Sequence, residues 1–469
     1  MNLFIASLRA VLGDDGVLTD ALDIGGYRGD LGVRLGADIE CVVRPRSCGE
    51  VSTIVRACAQ AGYAITPRGG GTGLVGGATP LMDRSHVVLS FERMREIRSL
   101  DPIGNVLVAE AGCPLQRIQE AAHEAGRLFG LDHGGAGSSQ IGGNLSTNAG
   151  GSNVLRYGMA RQQVLGLELV LADGTVLNML RSLPKNNAGY DLNQLFLGSE
   201  GTLGLITAAS LRLRPAPVCR LTSCLGLRSA QAALSVFVKV REAFGELVSA
   251  FELMPRAGLE LHFRHAGARH EPFEDTTPWL VLIEVDCATR HINLGAAFEE
   301  LFEDLLQQGL VLNGILASSE QQRQAMWRLR EGIAVAMIET PGALRSDTAV
   351  PVAAIPAFLE AAGRAVESVA PNCLPVPFGH IGDGNIHYNV LPPNGLPNMA
   401  FETYWPALAR VIEDCSIELG GTVSAEHGIG SLKRAAMMRM RSSAECNTMA
   451  RIKRALDPTA TLNPGKILQ

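Results

Sequence analysis

The stretch Pro67-Arg68-Gly69-Gly70-Gly71-Thr72-Gly73-Leu74-Val75-Gly76-Gly77 decides how the rest of the chain is read. Gly71, Gly73 and Gly76 fit the G-x-G-x-x-G spacing of a dinucleotide turn, which belongs between a strand and a helix. Here Gly77-Ala78-Thr79-Pro80 follows and cannot open a helix, so a Rossmann turn and an NAD-linked enzyme are disfavoured. A Walker-type phosphate loop fails as well, since no Gly-Lys-Ser/Thr occurs. Two readings remain: a mobile surface loop, or a main-chain cradle for an anion. Clustered glycines let several N–H groups approach a phosphate closely. Further Gly-rich loops at 142–151 and 197–204 favour the cradle.

Around the first loop the pattern alternates between strand and helix. Strands are expected at 40–44, 63–67, 86–90 and 105–110, with helices at 50–61 and 115–124. The segments 164–171 and 175–180 flank Asp173-Gly174, which predicts a type I′ hairpin. Arg214-Pro215-Ala216-Pro217 marks a boundary. Beyond it come longer helices, at 230–244, 293–308, 321–338 and 404–418, with strands at 248–253 and 279–285. A polar loop at 423–433 and an irregular tail at 456–468 complete an α+β pattern with an antiparallel sheet. The expected domains are 1–217, 218–415 and a C-terminal segment, 416–469, that completes the active site.

Composition excludes several classes. The 469 residues carry a net charge of −6 with no basic run, so no nucleic-acid partner is expected. No apolar run approaches the roughly 20 residues of a membrane span. Residues 1–13 lack a basic start and a cleavage site, so no signal peptide is expected. The ten cysteines form no Cys-x-x-Cys pair and read as buried apolar residues in a reducing, cytoplasmic setting.

Pro67–Gly73, then Ile141-Gly142-Gly143-Asn144, Thr147-Asn148-Ala149-Gly150-Gly151 and Gly198-Ser199-Glu200-Gly201-Thr202-Leu203-Gly204, occur in that order. Their order and wording resemble the two-part FAD-binding domain of the vanillyl-alcohol oxidase/p-cresol methylhydroxylase flavoproteins, over about residues 37–217. The resemblance implies that Pro67, Arg68, Gly69, Gly70, Gly71, Thr72, Gly73 and Leu74 wrap the FAD pyrophosphate. Gly137, Ser138, Ile141, Gly142, Gly143, Asn144, Thr147 and Asn148 would lie along the flavin and ribityl chain. Gly150, Gly151, Glu200, Gly201, Gly204 and Asn463 would complete the cofactor site, with Ile206 on its adenine or ribose side. Some relatives attach FAD through a His in the first loop or a Cys in the second. Neither type occurs at 68–77 or 141–151, so FAD is expected to be non-covalent.

Gly379-His380-Ile381-Gly382-Asp383-Gly384-Asn385-Ile386-His387-Tyr388-Asn389 places two histidines seven apart in a glycine-rich run. Its glycines suggest a loop leading into a strand. Ser424-Ala425-Glu426-His427 adds a carboxylate and a third His. Two His and one carboxylate are a common Zn²⁺ ligand set with an open position. The competing reading is ordinary loop residues. Asp383, between two glycines, is read as a turn former.

Together with Trp327-Arg328-Leu329-Arg330-Glu331 and the run Arg345-Ser346-Asp347-Thr348-Ala349-Val350-Pro351-Val352, these motifs resemble the substrate half of the FAD-dependent D-2-hydroxyacid dehydrogenases. Ser138-Ser139-Gln140-Ile141-Gly142-Gly143 and Ser424–His427 are most similar to the branch acting on the diacid D-2-hydroxyglutarate. The resemblance implies that His380, His387 and Glu426 bind Zn²⁺ or another divalent metal. It implies that His427 is the base, that Asn389 holds the substrate C1 carboxylate, and that Arg330 and Arg345 hold the distal one. Two positions depart from the family pattern: Arg345 replaces its usual Lys, and Ala334 its Ser or Thr. The implied reaction is oxidation of a D-2-hydroxy acid to the 2-oxo acid by hydride transfer to flavin N5. The electron acceptor would be an electron-transfer flavoprotein or a quinone. D-lactate, D-malate and glycolate are alternative substrates, and a non-catalytic flavin subunit is a remote alternative. The oligomeric state stays open, a homodimer being the form considered.

Overall fold

A computed structural model describes residues 3–33, 36–81, 84–393 and 396–468. Met1 and Asn2, at the head of the stretch read against a signal peptide, lie outside the described residues. The chain folds as two compact units. The first takes the chain up to Gly150, then Gly158–Ala216 and everything from Glu426 onward; the second takes Gly151–Tyr157 and Pro217–Ala425.

In the first unit, His86–Ser90 runs parallel to both Ile39–Val43 and Ala64–Arg68. The helix Cys48–Ala61 makes the crossover. Ser47 caps it by accepting from Glu50 N, and Gly62 ends it in the left-handed region at φ 76°. Its Val51, Ile54, Val55 and Cys58 are buried against the sheet, at i, i+3, i+4 and i+7. A second sheet of five antiparallel strands has the order Ile97–Asp101, Val106–Glu110, Leu205–Arg212, Val164–Val170, Val176–Asn178.

Two expectations about this unit need correction. The loop expected over 142–151 is half helix, Ile141–Thr147. Helix propensity argues against Gly142-Gly143 there, but packing overrides it: a Cβ on Gly142 would come 2.6 Å from the Ala111 Cβ. The Ser146 and Thr147 hydroxyls donate back to the Gly142 and Gly143 carbonyls. The 164–180 hairpin is present but its turn is not type I′. Only Gly174 has positive φ, at 81°, and Leu171 N pairs with Thr175 O. That is a three-residue loop with its glycine left-handed, and the Asp173 carboxylate accepts from Thr175 N.

In the second unit, four antiparallel strands are ordered Val248–Pro255, Trp279–Cys287, Cys219–Leu227, Asn313–Leu316. The helices Ala230–Phe244 and Leu294–Gln307 pack into one core, and Glu320–Glu339 and Arg256–Ala266 into another. A three-stranded sheet follows, in the order Thr348–Ala349, Asn385–Leu391, Leu374–Phe378. Trp405–Glu418 buries Leu408 and Ile412 in the first of those cores, so the second unit runs on to Ala425. Arg256–Ala266, Ile355–Val369 and Ser443–Leu456 are helices beyond the sequence expectations.

Candidate active site

In the first unit the strand Ala64–Arg68 delivers the first Gly-rich loop. The Arg68 guanidinium donates to Gly29 O and lies over the Tyr27 ring, 5.6 Å from its centroid. The loop rests directly on the second one. A Cβ on Gly70 would run into the Ser138 carbonyl, so only glycine fits. Gly69 lies beside Gln140, whose Oε1 is buried with no hydrogen-bond partner among the described residues. Asn144 donates to Ser139 Oγ at 3.2 Å and its Oδ1 lies 3.3 Å from His133 Nε2. Burial pushes the His133 pKa down, which favours the neutral ring. Sequence reasoning missed Gln140 and His133, because an isolated polar residue between two glycine motifs carries no signal of its own.

Glu200 and Asn463 tie this unit together. Glu200 accepts from Ile429 N and Gly430 N, both at 2.7 Å. Asn463 donates to Gly77 O at 3.0 Å and Glu200 O at 2.8 Å, which leaves its Oδ1 buried without a partner among the described residues. Asn148 ends the helix Ile141–Thr147 in the left-handed region, and its Oδ1 accepts from Arg161 N. Gly201 meets the Pro67 ring. Gly204 meets Phe196 and Leu169, and Ile206, 4% exposed, packs in the core. Gly150 lies against Glu426: a Cβ there would come 2.7 Å from Glu426 Oε1. Gly151 belongs to the second unit.

The second unit brings four of the expected site residues near one another. Leu253 N and Gly379 O pair at 2.8 Å, and Gly379 N and Leu253 O at 3.1 Å. That bridge hangs the loop 379–384 on the strand Val248–Pro255 and sets His380 beside Glu252. His387 follows on Asn385–Leu391. The two rings stand 5.6 Å apart, each offering a ring nitrogen within 4.8 Å of the other's. His380 Nδ1 lies 2.7 Å from Glu252 Oε1, and His387 Nδ1 3.9 Å from Asp347 Oδ1. Arg330, on Glu320–Glu339, is buried rather than on the surface. It donates to Glu252 Oε2 at 2.6 Å and covers the Phe378 ring at 4.8 Å. Burial raises the Glu252 pKa, but the His380 and Arg330 donors around the carboxylate more than offset it and hold it well below the usual carboxylate range.

Asn389 is buried on the same strand as His387, and its Oδ1 accepts from Ser346 N at 3.0 Å. Its NH₂ is therefore the end it can offer a carboxylate. Asp383 makes the expected turn, accepting from Asn385 N at 3.2 Å. Arg345, in contrast, is exposed. Asp347, fully buried, accepts from Asn385 Nδ2 at 3.0 Å and from Ala425 N at 3.1 Å. Glu426 and His427 are the next two residues of the chain, and both are half-buried. Glu252 and Asp347 were not foreseen as site residues. The signal available for Glu252 was a lone acid inside the apolar strand sequence Val248–Pro255.

Two family models match the chain: the FAD binding domain over residues 39–180, and the FAD linked oxidase C-terminal domain over 217–467. The chain is 39% identical over 432 residues to a mitochondrial D-2-hydroxyglutarate dehydrogenase of Bos taurus, covering 91% of this chain and 76% of that one. It is 36% identical over 452 residues to a D-2-hydroxyglutarate dehydrogenase of Xanthomonas citri, covering 96% and 94%. Among solved structures it is similar to p-cresol methylhydroxylase, with a TM-score of 0.79, 16% identity and coverage of 100% and 97%. An alkyldihydroxyacetonephosphate synthase gives a TM-score of 0.75, 19% identity and coverage of 99% and 86%. At such identities these two structures speak for the fold alone, the α+β flavoprotein architecture expected.

Proposed function

The chain belongs to the FAD-linked oxidases, in the family of the D-2-hydroxyglutarate dehydrogenases, and on that premise we propose that it oxidises D-2-hydroxyglutarate to 2-oxoglutarate with a divalent metal, Zn²⁺ first, at His380, His387 and Glu426. The observation that carries the site is the pair of histidines with ring nitrogens within 4.8 Å, one of them backed by a buried carboxylate. A carboxylate at Nδ1 leaves Nε2 of His380 as the ligating atom, a frequent arrangement at metal sites. FAD fits the first unit: its loops touch at Gly70, where no side chain has room, and Gln140 Oε1 beside them lacks a partner among the described residues. Arg68 to Leu74, 137–148, Glu200, Gly201 and Asn463 would hold it, non-covalently.

Bound FAD supplies the hydride acceptor, and a bound divalent metal supplies Lewis acidity for the C2 hydroxyl. The chain's own residues do the rest. His427 takes the hydroxyl proton as C2–H is lost. Asn389 Nδ2 donates to the C1 carboxylate. Arg330 offers Nη1 to a carboxylate while its Nε stays on Glu252 and its Nη2 lies 3.5 Å from His380 Nε2. Arg345 reaches the distal carboxylate from the surface. Electrons leave to an acceptor other than NAD, an electron-transfer flavoprotein or a quinone. Among the described residues no helix is long and apolar enough to cross a membrane. Ten free cysteines support a reducing, cytoplasmic setting.

A monocarboxylic D-2-hydroxy acid is the second reading, favoured by the exposure of Arg345 and the prior engagement of Arg330 with Glu252. A panel of D-2-hydroxy acids with a dye as electron acceptor, run with and without a chelator, separates them. The expected result is highest kcat/KM on D-2-hydroxyglutarate, abolished by chelation while FAD stays bound. Higher kcat/KM on D-lactate, or full activity in the metal-free enzyme, overturns the reading.

A further inference from the structure

Glu252 sits inside the strand Val248–Pro255 among apolar neighbours, and its side chain is 1% exposed. Its two oxygens serve different partners. Oε1 lies 2.7 Å from His380 Nδ1, and Oε2 lies 2.6 Å from Arg330 Nε. The side chains of Arg330 and His380 are themselves 7% and 9% exposed. Arg330 Nη2 stands 3.5 Å from His380 Nε2. One buried acid thus touches both an expected metal ligand and an expected substrate-binding arginine.

We propose that Glu252 is the positioning residue shared by the metal and substrate sites: it sets the His380 tautomer and the Arg330 orientation together. The proposal rests on the reading of His380 as a ligand and Arg330 as a substrate-binding group. An ionised carboxylate only accepts, so the ring nitrogen facing it donates, and a neutral His380 then presents its lone pair at Nε2. Held at Nε, Arg330 keeps Nη1 for a substrate carboxylate, while Nη2 stands beside His380 Nε2. Removing the acid would leave the buried guanidinium without its counter-charge, and the ring without the bond that fixes its tautomer. Neither a lone structural ion pair nor an isolated ligand support would link these two effects.

The test uses the FAD-loaded protein stripped of metal, with Zn²⁺ as the probe in competition with a chelating dye. Glu252→Gln keeps the shape, but its amide can accept from only one of the two donors. Zn²⁺ affinity is expected to fall about 10–100-fold. At saturating Zn²⁺, KM for D-2-hydroxyglutarate should rise about tenfold, the loss of one charge-assisted hydrogen bond, with a smaller change in kcat. Glu252→Asp keeps the charge and should recover part of the affinity. If Glu252→Gln binds Zn²⁺ within about twofold of wild type, Glu252 does not position His380 and the proposal falls. His380→Ala distinguishes the failure of the underlying reading: unchanged Zn²⁺ affinity there means that His380 is no ligand. If Glu252→Gln does not retain FAD, ¹⁵N spectra of the histidines in Zn²⁺-loaded wild type decide. A His380 ring protonated at Nδ1 supports the proposal, and one protonated at Nε2 overturns it.

Discussion

Glu200 places a carboxylate where only 6% of the residue meets solvent, and two main-chain N–H groups come to it. Burial pushes its pKa up from 4.5, against the pull of those N–H groups and of Lys466. A folded pKa above the unfolded one gives stability that is full below 4.5 and is lost as pH rises through the folded value. Glu200→Gln sets an amide N–H against one of the two donors, at a cost of about 1–3 kcal/mol. Thermal melts should show a lower Tm for the variant and a steeper fall in stability in wild type than in the variant as pH rises from 4.5. Equal Tm values would mean that these bonds contribute nothing. Arg345 is a contrasting case, since an exposed cation is screened. Arg345→Ala should lower kcat/KM for D-2-hydroxyglutarate by about tenfold and leave D-lactate turnover nearly unchanged. An equal fall on both substrates would move Arg345 away from the distal carboxylate.

The short helix Ile141–Thr147 shows how an element can be decided by its neighbours. Two adjacent glycines read as a loop, and their propensity favours one. Yet Gly142 N pairs with Ala111 O at 2.8 Å, and a Cβ on Gly142 would crowd both that oxygen and the Ala111 methyl. Gly142→Ala should therefore destabilise by about 1–3 kcal/mol, although alanine is the better helix former. Denaturant unfolding followed by flavin fluorescence reads this, and a more stable variant would show that propensity wins after all. Other elements were legible because their signals are local. Ser47 and Ser229 cap the helices Cys48–Ala61 and Ala230–Phe244, and both helices carry apolar residues at the 3.6-residue period. The helix Ser443–Leu456 carries an equally local capping box, Ser442 with Glu445, in an otherwise polar segment with little buried surface.

For the molecule as a whole, burial governs the thiols. Cys41 and Cys224 are pushed up to about 12 and Cys113 to about 11 by loss of solvent. Seven of the ten cysteines are buried and three partly exposed, so a thiol reagent at pH 8 should label at most three quickly and all ten in urea. More than three fast thiols would contradict that packing. Acid precipitation should leave the yellow cofactor in the supernatant, because loops 68–77 and 141–151 hold no His or Cys anchor; a coloured pellet would refute non-covalent binding. The sequence by itself determined the flavoprotein loops and the candidate ligands His380, His387 and Glu426, because each is written in a few adjacent residues whose types suit one chemistry. Only the tertiary structure decided what surrounds them. Glu252 is separated from His380 by 128 positions and from Arg330 by 78, and Glu200 from Ile429 by 229. A buried acid finds its partners through strand register and helix packing between distant segments, and no local spacing records which donors those elements will deliver.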